Sequence, residues 1–464
     1  MSPVHRSINT ESKDKKQKHP FAQPLRYVDG LLLDHNQLTK RLKQLDMTDE
    51  HVSVTTMTAI TGRWGFYTCQ RCLNQDPTLF SSFPCGKCQK TCIYCLACLK
   101  YGRLASCQSL FHLRVTDRET KPVATGFTFT STLTSHQLKA SQAIIKAIDT
   151  TKSQLLVHAV CGAGKTEMLF HGIQHALETG KRVALTTPRQ DVIKELLPRF
   201  KAVFTRVPLI CQYGGSDDNR LTSILTLCTT HQLIRYKEAF DVLIIDEVDA
   251  FPYHNDPNLI KQSQRALKDT GTVIYLTATP RKSLLKQKLP TCFVPVRYHG
   301  QPLPVPQAQF TSFKRSPLPS NVYKAISEQR QSGRQLLLFV ATIKQAEQLL
   351  PILREKFKSL NVEAVHATES DRSLRVKHFR HKAIDILVTT TILERGVTFP
   401  SVDVYVLKAD HDVFDEAALV QIAGRAGRSK SDPAGTVYFF HEGYTKAIKS
   451  AIRSIKRMNQ LGAK

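Results

Sequence analysis

Seven of the twelve cysteines in this 464-residue chain fall between positions 69 and 98: Cys69, Cys72, Cys85, Cys88, Cys92, Cys95 and Cys98. Clustered C-x2-C pairs present thiolates at the spacing that tetrahedral zinc accepts, and a disulfide network is the competing use of such a cluster in an oxidising compartment. The pairs 69/72 and 85/88 alone read as a zinc ribbon, C-x2-C-x12-C-x2-C. Cys92, Cys95 and Cys98 add two overlapping pairs. Seven thiols exceed one four-thiolate site and fall short of two, so a second site requires a further ligand such as Cys107 or His112. Cys107, Cys161, Cys211, Cys228 and Cys292 are scattered and suit small core or loop positions.

A second chemistry begins at "AVCGAGKT", 159–166. Gly162 and Gly164 let backbone N–H groups turn toward phosphate oxygens, Lys165 can reach the β- and γ-phosphates, and the Thr166 hydroxyl can ligate Mg2+. The apolar run "LIID" leads into Asp246, placed to hold Mg2+, and Glu247, placed to polarise a water. In "QIAGRAGR", 421–428, Arg425 and Arg428 are three apart and share a face if they lie on a helix. Guanidinium groups suit the charge that develops on a transferred phosphoryl group.

These side chains need elements that hold them. Apolar strands alternate with helical patterns, as in a parallel sheet: 154–160, 182–187, 240–246 and 272–278, then 334–341, 362–366, 384–391, 402–407 and 435–440. Helices are expected over 137–148, 165–179 and 343–358. Prolines 290, 295, 302, 304, 306, 317 and 319 mark a linker between the two series. The fold class is therefore α/β: two tandem RecA-like lobes of parallel sheet flanked by helices, preceded by a small cysteine-rich zinc-binding module. The expected organisation is a disordered basic tail (1–20), an N-terminal region (21–125) with the module at about 67–107, lobe 1 (126–300), and lobe 2 (301–464). Lobe 2 ends in a basic amphipathic helix with Ile448, Ile452, Ile455 and Leu461 on one face, expected to pack on that lobe.

Lys and Arg number 65 against 39 Asp and Glu, a net charge of +26, which favours a polyanionic partner such as nucleic acid. No apolar run approaches the ~18–20 residues that span a bilayer, and the polar N-terminus is not a signal peptide. A cytoplasmic location is expected. Arg63, Trp64, Phe66, Tyr67 and Arg71 beside the first cysteine pair offer either a DNA grip or a docking surface for a partner.

From about 130 to 440 the chain resembles the motors of helicase superfamily two. "LTSHQ" is similar to that superfamily's Q segment, 159–166 to motif I, "TTPR" (186–189) to motif Ia and "DEVD" to motif II. "TAT" (277–279) is similar to motif III, "VTTTILERGVTFP" (388–400) to motif V and "QIAGRAGR" to motif VI. The resemblance implies ATP and Mg2+ as cofactors. Gln137, Gly162, Ala163, Gly164, Lys165, Thr166, Asp246 and Gln421 would hold the nucleotide, and Thr166 and Asp246 the metal. Lys165, Asp246, Glu247, Arg425 and Arg428 would carry the chemistry. Arg189, Thr230, Thr389, Thr390 and Gly396 would lie near a nucleic-acid track, and Thr277 and Thr279 would couple ATP state to lobe closure.

The cysteine module ahead of the motor, the form "CQRC…YCLACLKYGR", "LTSHQLKAS" and "RMNQLG" further resemble the ComFA competence family of Gram-positive bacteria. That resemblance implies zinc on Cys69, Cys72, Cys95 and Cys98, with Cys85, Cys88 and Cys92 left open. It implies an ATP-dependent translocase for single-stranded transforming DNA, at the inner face of the membrane. Its implied associates are ComFC, DprA and the DNA-uptake channel, and a homo-oligomer is admitted. Two alternatives stand beside it: a replication-restart or repair helicase of the PriA or RecG kind, and a zinc-bearing DNA-binding scaffold with a vestigial ATP site. The intact Lys165, Asp246, Glu247 and Arg428 argue against the scaffold.

Overall fold

The computed structural model describes residues 28–42, 52–115, 122–216, 223–366, 371–395 and 399–463. The tail expected at 1–20, and Gly396, lie outside them. In chain order the N-terminal region comprises β1 (Leu32–Asp34), α1 (His35–Leu42), β2 (Val52–Thr58), β3 (Ile60–Arg63), β4 (Phe66–Cys69), β5 (Phe80–Pro84), β6 (Thr91–Cys95) and β7 (Ser109–Val115). Strands β1, β7 and β2 form one antiparallel sheet, and β3–β4 and β5–β6 are separate hairpins.

Lobe 1 follows: α2 (Ser135–Asp149), β8 (Gln154–Ala159), α3 (Lys165–Glu178), β9 (Val183–Thr187), α4 (Gln190–Val203), β10 (Leu209–Gln212), β11 (Leu225–Thr229), β12 (Phe240–Asp246), α5 (Pro257–Ala266), β13 (Leu267–Thr277), α6 (Lys282–Leu285) and β14 (Thr291–Val294). Its strands form one parallel sheet in the order β10-β11-β9-β12-β13-β8-β14. Lobe 2 comprises β15 (Gln307–Phe310), α7 (Ser320–Gln329), β16 (Gln335–Phe339), α8 (Ile343–Lys356), β17 (Val362–Val365), α9 (Arg372–Arg380), β18 (Ile386–Thr389), β19 (Val402–Leu407), α10 (Glu416–Ala423), β20 (Val437–His441) and α11 (Lys446–Gly462). Its parallel sheet runs β15-β20-β19-β16-β18-β17.

The central strands are buried along their length, as continuous apolar runs between helical layers must be. Helix α2 starts in a capping box: Thr134 accepts from the Gln137 backbone while the Gln137 side chain accepts from the Thr134 backbone. Helix α11 buries Ile448, Ala451, Ile455 and Met458 against lobe 2, with Ile452 and Leu461 half-buried at the edge of that stripe.

Two expectations change. The proline-rich stretch is not linker throughout, because β14 pairs with β8 and β15 pairs with β20; the crossing occupies 295–306. Both strands are sheet edges, where a flanking proline removes no ladder hydrogen bond. The N-terminal region is fused to lobe 1, not strung ahead of it. Val28, Leu31, Leu33, Leu113 and Val115 share a core with Leu233, Tyr236 and Phe240. At Gly30, with φ +76°, a Cβ would lie 2.4 Å from the Ala239 Cα. The contact needs glycine.

Candidate functional site

Motifs I, Ia, II and III of lobe 1 sit at the carboxyl ends of parallel strands, and the Q segment opens α2. Strand β8 ends in the loop 160–164, and Gly164 takes φ +71° as the N-cap of α3. A Cβ there would meet the Gln137 Nε2 at 2.3 Å. Strand β12 ends in Asp246, whose carboxylate lies 3.7 Å from Lys165 Nζ. Burial opposes the charge on Lys165, but the Asp246 and Glu247 carboxylates outweigh it and hold the ammonium protonated. Burial raises the Asp246 carboxyl pKa against the pull of Lys165. Such a carboxylate suits a divalent cation, and Thr166, whose hydroxyl accepts from Arg199 Nη1 at 3.4 Å, lines the same cleft. A cleft of about 280 Å³ is lined by residues 162–167, Asp246, Glu247, Tyr298 and, from lobe 2, Arg428.

Lobe 2 closes this cleft through the segment after α10. Arg425 and Arg428 do not share a helix face: α10 ends at Ala423 and both arginines lie in the turn beyond it. Gly424 precedes Arg425, and Gly427, at φ +64°, lies between the two arginines. A Cβ on Gly424 would strike Cys161 of the phosphate loop, and one on Gly427 would strike the Pro433 carbonyl. The turn therefore separates the two side chains. Arg428 faces the cleft, whereas Arg425 is buried behind it with Nε donating to the Glu394 carbonyl at 3.1 Å. Burial, with Arg428 nearby, lowers the Arg425 pKa to about 9. Gln421 is buried too, its Oε1 accepting from the Cys161 thiol at 3.0 Å.

Gln137 does not line the cleft. Its Oε1 accepts from Thr134 N and its Nε2 donates to the Ala163 carbonyl at 2.8 Å, so it braces the phosphate loop. The expected base contact is replaced by a backbone contact because the capping box already fixes this side chain. Tyr298 lies at the cleft instead, its N–H on the Gly162 carbonyl at 3.0 Å. Beside it, Arg297 is buried and donates to the Gly427 carbonyl, joining the lobes. Neither residue belongs to a motif, and no spacing in the sequence marks them.

Thr277 and Thr279 each donate to Asp249, both at 2.5 Å, and Asp249 also receives the Arg395 guanidinium from lobe 2. Although burial opposes it, Arg395 and the two hydroxyls hold the Asp249 carboxyl well below the usual carboxylate range. Arg395 extends toward Glu247, 4.0 Å away. The threonines thus touch lobe 2 through one buried carboxylate.

The nucleic-acid residues fare unevenly. Arg189 is half-buried between the lobes, 3.2 Å from Glu394. Thr230 is fully buried at the start of the turn after β11, and Thr389 is buried with its hydroxyl on the Val365 carbonyl at 3.0 Å. Thr389 ends β18, whereas Thr230 opens the short helical turn that follows β11. Thr390 is half-buried.

Cys69, Cys72, Cys95 and Cys98 are buried with their sulfurs all within 4.8 Å of one another. The pairs 69–98 and 72–95 are 3.8 and 3.6 Å apart. A tetrahedral site with 2.3 Å Zn–S bonds has sulfur–sulfur edges of roughly 3.8 Å, so the set fits zinc. Arg71 Nη2 donates to the Cys98 sulfur at 3.2 Å and to its carbonyl at 2.9 Å. Arg71 is therefore a buried cation beside the thiolates, not part of a surface grip. Tyr67 is half-buried against Phe80, while Trp64 and Phe66 stand exposed at the β3–β4 tip. Cys85, Cys88 and Cys92 gather with Cys107 in a second cluster.

Three family models match in succession: the competence protein ComFA N-terminal domain over 21–112, the type III restriction enzyme res subunit over 130–282, and the helicase conserved C-terminal domain over 318–430. Competence protein ComFA of Bacillus subtilis is 42% identical, the match covering 86% of this chain and 87% of that one. The chain belongs to the ComFA family. ComFA of Streptococcus pneumoniae is 36% identical over 93% of this chain and 97% of its own. The solved structure of the DEAD-box helicase Mss116 bound to ssRNA and UDP-BeF shares the fold, with a TM-score of 0.54 at 20% identity over 67% of this chain and 70% of its own. A ComFA family member with this site is a competence-related, helicase-like ATPase. Among the described residues no helix is long and apolar enough to cross a membrane.

Proposed function

We propose that the protein is an ATP-driven translocase that draws single-stranded transforming DNA into the cytoplasm, working at the inner face of the membrane beside the uptake channel. The observation that carries this reading is the buried Thr277–Thr279–Asp249–Arg395 network, which ties the ATP-bearing lobe to its neighbour two residues from Glu247 and next to Glu394. A motor needs such a link between the hydrolytic site and relative lobe motion.

In this reading Lys165 and the loop N–H groups bind the phosphates, and Thr166 and Asp246 hold Mg2+, which when bound neutralises phosphate charge. Glu247 orients the attacking water, and Arg428 meets the charge developing on the transferred group. Gln137, Gln421 and Arg425 position the loop and the arginine turn. Zinc on Cys69, Cys72, Cys95 and Cys98 fixes the module against lobe 1, and the exposed Trp64 and Phe66 offer faces on which DNA bases stack. ComFC and DprA belong to the same reading as associates, as does self-association.

ATP hydrolysis measured side by side with single-stranded DNA, duplex DNA and RNA tests the proposal. Selective stimulation by single-stranded DNA is expected. Its absence would sink the translocase reading, and unwinding of forked duplexes with undiminished transformation in a deletion strain would favour a repair helicase.

A further inference from the structure

The hairpin β5–β6 carries a cluster of thiols that the zinc set above does not use. Cys85, Cys88, Cys92 and Cys107 place their sulfurs within 4.8 Å of one another, with Cys85 and Cys107 3.7 Å apart and Cys88 and Cys92 3.3 Å apart. His112, the other ligand the sequence admits, is excluded: it is buried on β7 with a ring nitrogen 3.0 Å from the Lys237 carbonyl. We propose that Cys85, Cys88, Cys92 and Cys107 bind a second zinc ion, separate from that of Cys69, Cys72, Cys95 and Cys98.

The turn at 85–90 repeats the turn at 69–74 in backbone detail. In the first, Cys69 N donates to the Asn74 carbonyl and Leu73 N to the Cys69 carbonyl, with Leu73 at φ 64°. In the second, Cys85 N donates to the Lys90 carbonyl and Gln89 N to the Cys85 carbonyl, with Gln89 at φ 58°. Neither Leu nor Gln favours that left-handed conformation, so each turn bears a local cost. The first turn carries Cys69 and Cys72, and the second carries Cys85 and Cys88 at the same spacing.

The ligand order supplies the second argument. Along the chain the clusters alternate: 69 and 72 in the first, 85, 88 and 92 in the second, 95 and 98 in the first, and 107 in the second. Two metals arranged so cross-brace one small module, tying β5–β6 to the loop before β7. The apolar packing here is slight, Cys85, Cys92 and Ala105 with Phe83 and Tyr94 at the edge, so bonds to a metal replace a core the module cannot build. Four sulfurs with no nitrogen or oxygen donor select zinc among abundant divalent ions, and binding releases the thiol protons to solvent. Cys107 is exposed and Cys88 half-exposed, so this ion is the more accessible of the two.

Elemental analysis of the full-length protein, purified without added metal, tests the assignment. Two zinc ions per chain are expected, falling to one in Cys107→Ser and restored toward two in Cys107→His, since imidazole also ligates zinc. A chromogenic chelator should remove one equivalent quickly and the other at least ~10-fold more slowly, the slow phase being absent in Cys69→Ser. One zinc in the unaltered protein overturns the proposal, as does iron as the second metal or a Cys107→Ser variant that keeps both ions. Should Cys107→Ser fail to fold, the unaltered protein's stoichiometry and two-phase release still decide.

Discussion

Arg425 and Arg428 look alike in the chain and stand in different surroundings in the fold. Arg428 lines the cleft with Lys165 and Glu247, where the proposed function sets its charge against the reacting phosphates. Arg425 is buried behind it, held by the Glu394 carbonyl. Arg428→Ala should therefore lower kcat by about 10³-fold while leaving ATP affinity within a few-fold, because the missing charge acts on the transition state. Steady-state turnover beside fluorescent-nucleotide binding checks this; equal losses in both would assign Arg428 to ground-state binding. Arg425→Ala should instead open a cavity and lower the melting temperature. Lys165 differs again, since its ammonium is the partner of the buried Asp246 carboxylate. Lys165→Ala should weaken nucleotide binding and leave turnover near background, measured in the same two assays.

At the scale of elements, the linkage between the lobes depends on strand ends and one buried ion pair. Removing one partner of a buried, hydrogen-bonded pair leaves the other charge uncompensated and costs about 3–5 kcal/mol. Asp249→Asn should accordingly lower thermal stability and abolish DNA stimulation of ATPase while basal hydrolysis survives in part; unchanged stimulation would remove this network from the coupling. The hairpin β3–β4 makes a separate claim. Base stacking on an aromatic ring contributes about 1–3 kcal/mol, so Trp64→Ala with Phe66→Ala should weaken binding of single-stranded DNA at least ~10-fold in fluorescence anisotropy. Most of these elements were legible in sequence. The strands β8, β12 and β19 are unbroken apolar runs, and the phosphate loop needs its glycines in order. The missed strands of the lobes were β10 and β11, too short to stand out, and the edge strands β14 and β15, whose partners lie far along the chain and whose flanking prolines mimic a linker. Asp249 and Arg395 were missed for a related reason, since a single buried contact across 146 residues has no spacing to read.

The whole molecule is a helicase-like ATPase with its N-terminal region built into lobe 1. Arg265 on α5 donates to the Gln70 and Arg71 carbonyls and Gln262 to the Cys72 carbonyl, so the first cysteine turn is bonded directly to the ATP-bearing lobe. The lobes meet each other differently, through the half-exposed pairs Arg281–Asp415 and Arg372–Asp191 around the buried Asp249–Arg395 contact. Exposed pairs of that kind contribute about 0–1 kcal/mol each and weaken with salt. Further buried contacts add to Asp249–Arg395, with Arg297 on the Gly427 carbonyl, Cys161 on Gln421 and an apolar core shared by both lobes. In the proposed translocase the excess of 65 Lys and Arg over 39 Asp and Glu supplies the attraction for a strand. Binding dominated by phosphates displaces counterions, and for single strands the logarithm of affinity falls with the logarithm of salt at a slope near −0.7 per phosphate neutralised. If about six phosphates are held between the lobes, affinity for oligo-dT should fall by roughly two orders of magnitude between 50 and 200 mM salt. Anisotropy titrations across that range measure the slope. A slope near zero would mean that bases, not phosphates, carry the grip, and that the charge of the chain serves some partner other than DNA.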